Sequence, residues 1–268
     1  NISNLFFRLQ FGSILIINPN QNDCAYPFKG LCGAGVAFKL AFAIAETLSL
    51  SSNIVWCYAD LVTLGTAADL VPLVSENRVI THFGLKQIRE GNNIGIRSLI
   101  STSNLDIRRI GIGQLSFWVT PKINAAGRLG DASRAVKLLT SANPVHSLEI
   151  AQILNKENEK RKLVTLDMEQ ESISMVEDDI DLNLNKSIVL YKKGWHSGII
   201  GIVASRIKEL YNRPTIIISI DGNIGKGSCR SIKKFDIVDA LKSSENLLEG
   251  YGGHPMAAGL TIGETKLK

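Results

Sequence analysis

Cys24, Cys32, Cys57 and Cys229 are the only cysteines in 268 residues, and no two of them stand in C-x-x-C spacing. A chain of this length folds without a disulfide framework, so a reducing, cytoplasmic setting is the simplest expectation. Long apolar runs are also missing. The stretch 36–44 is too short to cross a bilayer, and 5–17 is interrupted by Arg8, Gln10 and Gly12, which leaves no membrane or export signal. No internal repeat or low-complexity tract is present, and residues 145–181 contain neither glycine nor proline. The first seventeen residues hold no Asp, Glu or His, so they offer no metal ligand of the usual type. The chain opens on Asn rather than Met, in mid-pattern, which reads as a piece of a longer protein.

What is there is ordinary for a folded protein. Hydrophobic residues make up 45% and charged residues 21%, far from the regime of disordered chains, and the length favours two domains. Thirty basic side chains against twenty-five acidic ones give a net charge of +5 and a pI near 9.0, a modest bias towards polyanionic partners.

Along the chain, a short buried strand at 14–17 is stopped by the turn-forming Asn18-Pro19-Asn20. Apolar helices are expected at 33–48 and 54–64, and Ser75 is a plausible cap for a helix running to Glu90 and closed by Gly91. Between the last two lies a polar turn, residues 65–72. The Glu- and Lys-rich stretch 145–181 predicts one long, mostly solvated helix of roughly 50 Å. A strand at 187–191, a helix at 198–211 and a strand at 215–220 make a βαβ unit. Asp221-Gly222-Asn223 then turns the chain into a hairpin strand, Asp236 caps a further helix, and a glycine-rich loop at 250–254 leads to a last strand near Leu260. The fold class expected is α/β: two α/β domains joined by a long helix, with boundaries at 1–144, 145–182 and 183–268.

Several segments carry readable chemistry. Gly225-Lys226-Gly227-Ser228-Cys229-Arg230-Ser231 combines small residues, hydroxyls and two cations on one strand, so backbone can approach a phosphate while guanidinium and hydroxyl groups donate to it. The bland alternative is a glycine-rich edge strand with solvated bases. Gly252-Gly253-His254 puts an imidazole after two residues able to take unusual backbone angles, although a lone histidine is more often structural. His196 follows Trp195, which could equally be core; His82 and His146 read as surface. Read without further context, Arg128 and Arg206 pair with nearby carboxylates and Asp69 caps a turn.

Taken in order, six motifs resemble the RecJ family of the DHH/DHHA1 phosphoesterases: Asn18-Pro19-Asn20-Gln21; Gly65-Thr66-Ala67-Ala68-Asp69-Leu70-Val71-Pro72-Leu73; Asn124-Ala125-Ala126-Gly127-Arg128-Leu129; the run from Trp195 through Arg206; Gly227-Ser228-Cys229-Arg230-Ser231; and Gly252-Gly253-His254. The resemblance implies a Mn2+- or Mg2+-dependent 5′→3′ exonuclease acting on single-stranded DNA in repair and recombination, with two metal ions activating water and stabilising the leaving oxygen. It implies Asp69 as a metal ligand and catalytic group, and His254 as a catalytic group near the scissile bond. Ser228 and Arg230 would hold the terminal 5′-phosphate, and Arg128, His196, Arg206, Gly252 and Gly253 would contact the strand. A single-strand-binding protein or a helicase would be the protein partner; no membrane partner is implied. Cys229 stands where the family commonly has glycine, which puts the local geometry in question. The D-x-D and D-H-H motifs that family members carry before Asn18 are missing, and Phe6-Phe7-Arg8-Leu9-Gln10-Phe11 stands where D-H-H would fall. The expectation is therefore an exonuclease core fragment that is inactive alone. Two alternatives are a degenerate module that binds single strands without cutting, and a phosphodiesterase of short oligonucleotides.

Overall fold

The computed structural model describes residues 6–8 and 14–267, so residues 9–11, part of the stretch standing in place of D-H-H, lie outside the described residues. The chain is mixed α/β and divides into two compact units, Asn1–Asn158 and Glu159–Lys268.

The first unit is mainly helical. Strands β1 (Phe6–Arg8) and β2 (Ile14–Ile16) form an antiparallel pair, followed by α1 (Gly33–Thr47), α2 (Asn53–Trp56), α3 (Ala59–Asp69), α4 (Ser75–Glu90) and α5 (Ile94–Ser101). A 3-10 turn at Ile107–Arg109, the short α6 (Ile112–Gln114) and a π-helical turn at Leu115–Val119 lead into α7 (Thr120–Leu129) and α8 (Ser133–Thr140). At the end of the strand expected to be buried, Ile16 and Ile17 are 42% and 36% exposed. The turn after it is as expected, with the Asn18 side chain accepting from Asn20 N–H at 2.9 Å and Lys29 Nζ donating to the Pro19 carbonyl at 2.6 Å.

Three local expectations are corrected. The helix expected over 54–64 breaks at Cys57 and Tyr58, so α2 and α3 are separate. Ser75 does not cap α4; it sits at φ 47°, Val74 is the cap residue, and no side chain accepts there. Residues 65–69 are not a turn but the end of α3, because Thr66 and Ala67 are buried in the core and pull this stretch into the helix. That core is built by fully buried Leu99, Ile110, Leu115, Leu138 and Leu154 among others. Each side chain of this kind contributes about 1.5–3 kcal/mol by leaving water.

Helix α9 (Pro144–Asp179) is the predicted long helix, and the division between the units falls inside it. It is less solvated than its composition suggests. Ser147, Ile150, Ala151, Leu154, Asn158, Thr165, Met168, Ser172 and Val176 are buried, mostly at three- and four-residue spacing, which marks one stripe along the helix.

In the second unit β3 (Ile188–Lys193), α10 (Ile200–Tyr211) and β4 (Thr215–Asp221) form the βαβ unit, with β3 and β4 parallel. A two-residue turn, Gly222-Asn223, leads into β5 (Ile224–Arg230). The Asp236 carboxylate caps α11 (Ile237–Lys242) at 2.8 Å from Val238 N. Strands β6 (Leu248–His254) and β7 (Ala257–Gly263) complete a sheet ordered β3-β4-β5-β7-β6. The glycine-rich segment at 250–254 is thus an edge strand rather than a loop, held in register by β7. Among the described residues no helix is long and apolar enough to cross a membrane.

Candidate functional site

Strand alternation sorts the second sheet into two faces. Cys229, Ile218, Ala258 and Leu260 point into a core closed by Ile237 and Leu241 of α11. Ser228 and Arg230 point the other way, towards α10. Cys229 therefore leaves the polar face undisturbed; it is fully buried, and burial pushes its thiol up to about 12.

On the polar face the register sets two rows. Arg230 pairs with Ala257, which pairs with His254, and Ser228 pairs with Gly259, which pairs with Gly252. Directly opposed residues of antiparallel strands share a face, so His254 stands two strand spacings from Arg230, roughly 10 Å away. Only Ala257 and Gly259 lie between, and Gly252, His254 and Gly259 are exposed, which makes an open shelf.

Helix α10 walls one end of the shelf. Arg230 Nε donates to Ser205 Oγ at 3.1 Å, and its Nη1 donates to Ser228 Oγ at 2.9 Å and to the Cys229 carbonyl at 2.8 Å. The guanidinium plane is thereby fixed before any ligand arrives, and Ser228, accepting from it, keeps its own O–H to donate. Gly201 lets the first turn of α10 pass this close: a β-carbon there would stand 3.0 Å from both Arg230 Nη2 and Ser228 Oγ. An anchored guanidinium, a hydroxyl donor and the positive end of a twelve-residue helix suit a phosphate group. Ser205 and Gly201 escaped the sequence reading because their contact with β5 is long-range; four-residue spacing on one helix face was the available signal.

Of the two glycines before His254, only Gly253 is required by the backbone. It sits at φ 155°, and a β-carbon would lie 2.4 Å from the Ala257 carbonyl oxygen, whereas nothing stands within 4 Å of the corresponding position at Gly252.

The remaining residues of this unit are placed differently. His196 is exposed in the loop before α10, and its Nδ1 accepts from Gly198 N–H at 3.1 Å. Arg206 lies in the middle of α10 and pairs with Glu169 of α9. Trp195 is core, and its indole N–H donates to Glu171, which also pairs with Lys192. Hydrogen bonds from Lys192 and Trp195 hold the Glu171 carboxyl below the usual carboxylate range. A depressed folded value gives stability that is fully present above the unfolded value of 4.5 and is lost as pH falls through the folded one. Melting temperatures of the parent and Glu171→Gln are therefore expected to converge between about pH 5 and about pH 3, and a constant gap over that window would contradict the pairing.

In the first unit Asp69 is the exposed last residue of α3, before Leu70 in the left-handed conformation at φ 53°. Arg128 is exposed in the last turn of α7, with Ala125 and Ala126 buried beneath. Among the described residues no three His, Cys, Asp or Glu side chains gather as a metal site would require. One exposed carboxylate does not hold a divalent ion by itself, so the described residues do not make up such a centre on their own.

Residues 184–268 match the DHHA1 domain. The chain is 40% identical over 250 residues to the single-stranded-DNA-specific exonuclease RecJ of Bacillus subtilis (strain 168), covering 92% of this chain and 31% of that protein. Against the same-named protein of Escherichia coli (strain K12) the identity is 38% over 271 residues, covering 94% and 47%. The chain is a RecJ homologue carrying a DHHA1 domain. Its fold agrees with the crystal structure of RecJ from Thermus thermophilus in complex with Mg2+, at a TM-score of 0.80 and 35% identity over 90% of this chain and 37% of that one. The Mn2+ complex from the same organism gives 0.79, with 91% and 35% covered. The chain thus spans about a third to a half of the length of these relatives. Every residue of the shelf, Ser228, Arg230, Gly252 and His254, belongs to the DHHA1 domain, as do Gly253, Gly201 and Ser205.

Proposed function

We propose that this chain is the strand-holding part of a single-strand-specific 5′→3′ exonuclease of the RecJ kind, and that the DHHA1 shelf receives the 5′-terminal phosphate. The observation that carries this is the Ser228–Arg230 pair, fixed by Ser205 beneath the start of α10 on an open sheet face. In this reading His254, on the same face, faces the next phosphodiester, Gly252 lets the strand lie close to the sheet, Gly253 shapes the backbone that carries His254, and His196 and Arg128 contact the strand's backbone. Arg206 would have to leave Glu169 to take part. Asp69 is proposed as one oxygen ligand of a divalent ion, the remaining ligands coming from outside this chain. A single-strand-binding protein or a helicase would deliver the strand in repair or recombination.

The test is fluorescence anisotropy with dT oligomers that differ only in a 5′-phosphate. Charge-assisted hydrogen bonds to a terminal dianion predict roughly tenfold or greater preference for the phosphorylated strand. With Mn2+ added, the 268-residue chain is expected to bind without shortening the oligomer. Equal affinity for the two ends would overturn the phosphate assignment, and turnover would overturn the expected inactivity.

A further inference from the structure

A second concave surface, in the first unit, is unexplained by the shelf. Arg78, His82, Lys86 and Arg89 stand at intervals of four, four and three along α4, which puts them on one helix face about 5–6 Å apart. The 3-10 turn Ile107–Arg109 brings Arg108 across from them, and a groove of about 490 Å3 results, lined by His82, Leu85, Lys86, Arg89, Glu90 and Arg108. Arg89 Nε donates to the Ile110 carbonyl at 3.0 Å, which ties α4 to this turn and fixes the guanidinium in the groove. Among the described residues no carboxylate lies within ion-pair reach of Lys86, Arg89 or Arg108; the acid of the turn, Asp106, is taken by Arg109 at 3.8 Å. Three cations therefore face one carboxylate, Glu90, in a groove too open to be core. Next to His82 on α4, Phe83 is 47% exposed, edge-on to His82 at 5.4 Å and to Trp56 at 5.2 Å between ring centroids.

We propose that this α4 groove is a second binding site for the nucleic-acid strand, one that neutralises backbone phosphates away from the 5′ end. The cation spacing is comparable to the phosphate repeat of an extended single strand, and the half-exposed Phe83 beside His82 offers a base something to stack on. Cations without a partner carboxylate have no ion pair to break when a phosphate arrives, and each one engaged releases counterions, so the site acts through salt-dependent affinity and reads no sequence. The inference rests on the single-strand reading above but uses none of its residues.

The experiment measures binding of a dT oligomer of about thirty nucleotides, with and without a 5′-phosphate, across a salt series. It compares the parent chain, Lys86→Glu/Arg108→Glu, the milder Lys86→Gln/Arg108→Gln, and Arg230→Ala. Both groove variants are expected to weaken binding at low salt, the Glu pair by about tenfold or more, to flatten the log–log salt slope by roughly 1 to 1.5, and to keep the preference for the phosphorylated end. Arg230→Ala is expected to lose that preference and keep most of the slope. Parent-like slope and affinity in both groove variants would overturn the groove, as would a parent chain that binds no dT oligomer. Competition by polyglutamate as effective as by dT would also overturn it, by marking a surface for acidic polypeptide. Because the altered side chains are exposed, melting temperatures close to the parent's are the accompanying control. An end preference left unchanged by Arg230→Ala would sink the shelf reading alone.

Discussion

Replacing Arg230 with alanine is expected to weaken binding of a 5′-phosphorylated single strand by about 10- to 100-fold while leaving a 5′-hydroxyl strand within a few-fold, because a hydrogen bond to a charged group is worth about 1.5–3 kcal/mol. The effect should exceed that of removing an ordinary surface cation, since Ser205, Ser228 and the Cys229 carbonyl already hold the guanidinium in place and little entropy is lost in ordering it. Arg230→Lys keeps the charge without the planar fork and is expected to recover only part of the loss. Equal losses for both kinds of strand end would point to a general electrostatic role and against a phosphate seat.

The second large effect is structural. Gly253→Ala places a β-carbon 2.4 Å from the Ala257 carbonyl oxygen and 2.5 Å from Ala258 Cα, at a φ of 155° that alanine rarely adopts. Neither clash involves a flexible side-chain end, so the β6–β7 ladder must shift. A cost of about 2 kcal/mol or more is expected, read as a lowered denaturant midpoint. Gly252→Ala, with open space at that position, is expected to stay within about 1 kcal/mol of the parent. Similar midpoints for the two variants would mean that the β6 backbone is not held as described. Because His254 is the next residue, the shift would also move the imidazole on the shelf.

The parts of the fold that were legible in the sequence are those with strong punctuation. Gly222-Asn223 after the apolar run 215–220, Pro214 before Thr215 and Asp236 before Ile237 mark β4, β5 and α11 closely. Ser228 and Arg230 were legible as a pair because strand alternation is local. Where tertiary contacts decide, the sequence misled. The segment at 250–254 has a loop's composition, and only pairing with β7 makes it a strand. The Asp69 motif looks like a turn, yet burial of Thr66 and Ala67 makes it helix, which leaves Asp69 as an exposed helix end. Helix α9 was read as mostly solvated because Ser147, Asn158, Thr165 and Ser172, none of them hydrophobic, are among the residues it buries. Ser205 and Gly201 reach the site only through the packing of α10 on β5, which no short-range pattern records.

The placement of α9 bears on how the chain could be cut. The DHHA1 match begins at residue 184, after the helix ends, yet Met168, Ser172 and Val176 are buried, and Glu169 and Glu171 hold Arg206, Lys192 and Trp195. A piece trimmed to the domain match would lose that cover, strip partners from three side chains at once and expose apolar surface prone to self-association. The compact unit is Glu159–Lys268, which begins in the middle of a helix, so neither half of the chain can be excised without deciding how much of α9 travels with it.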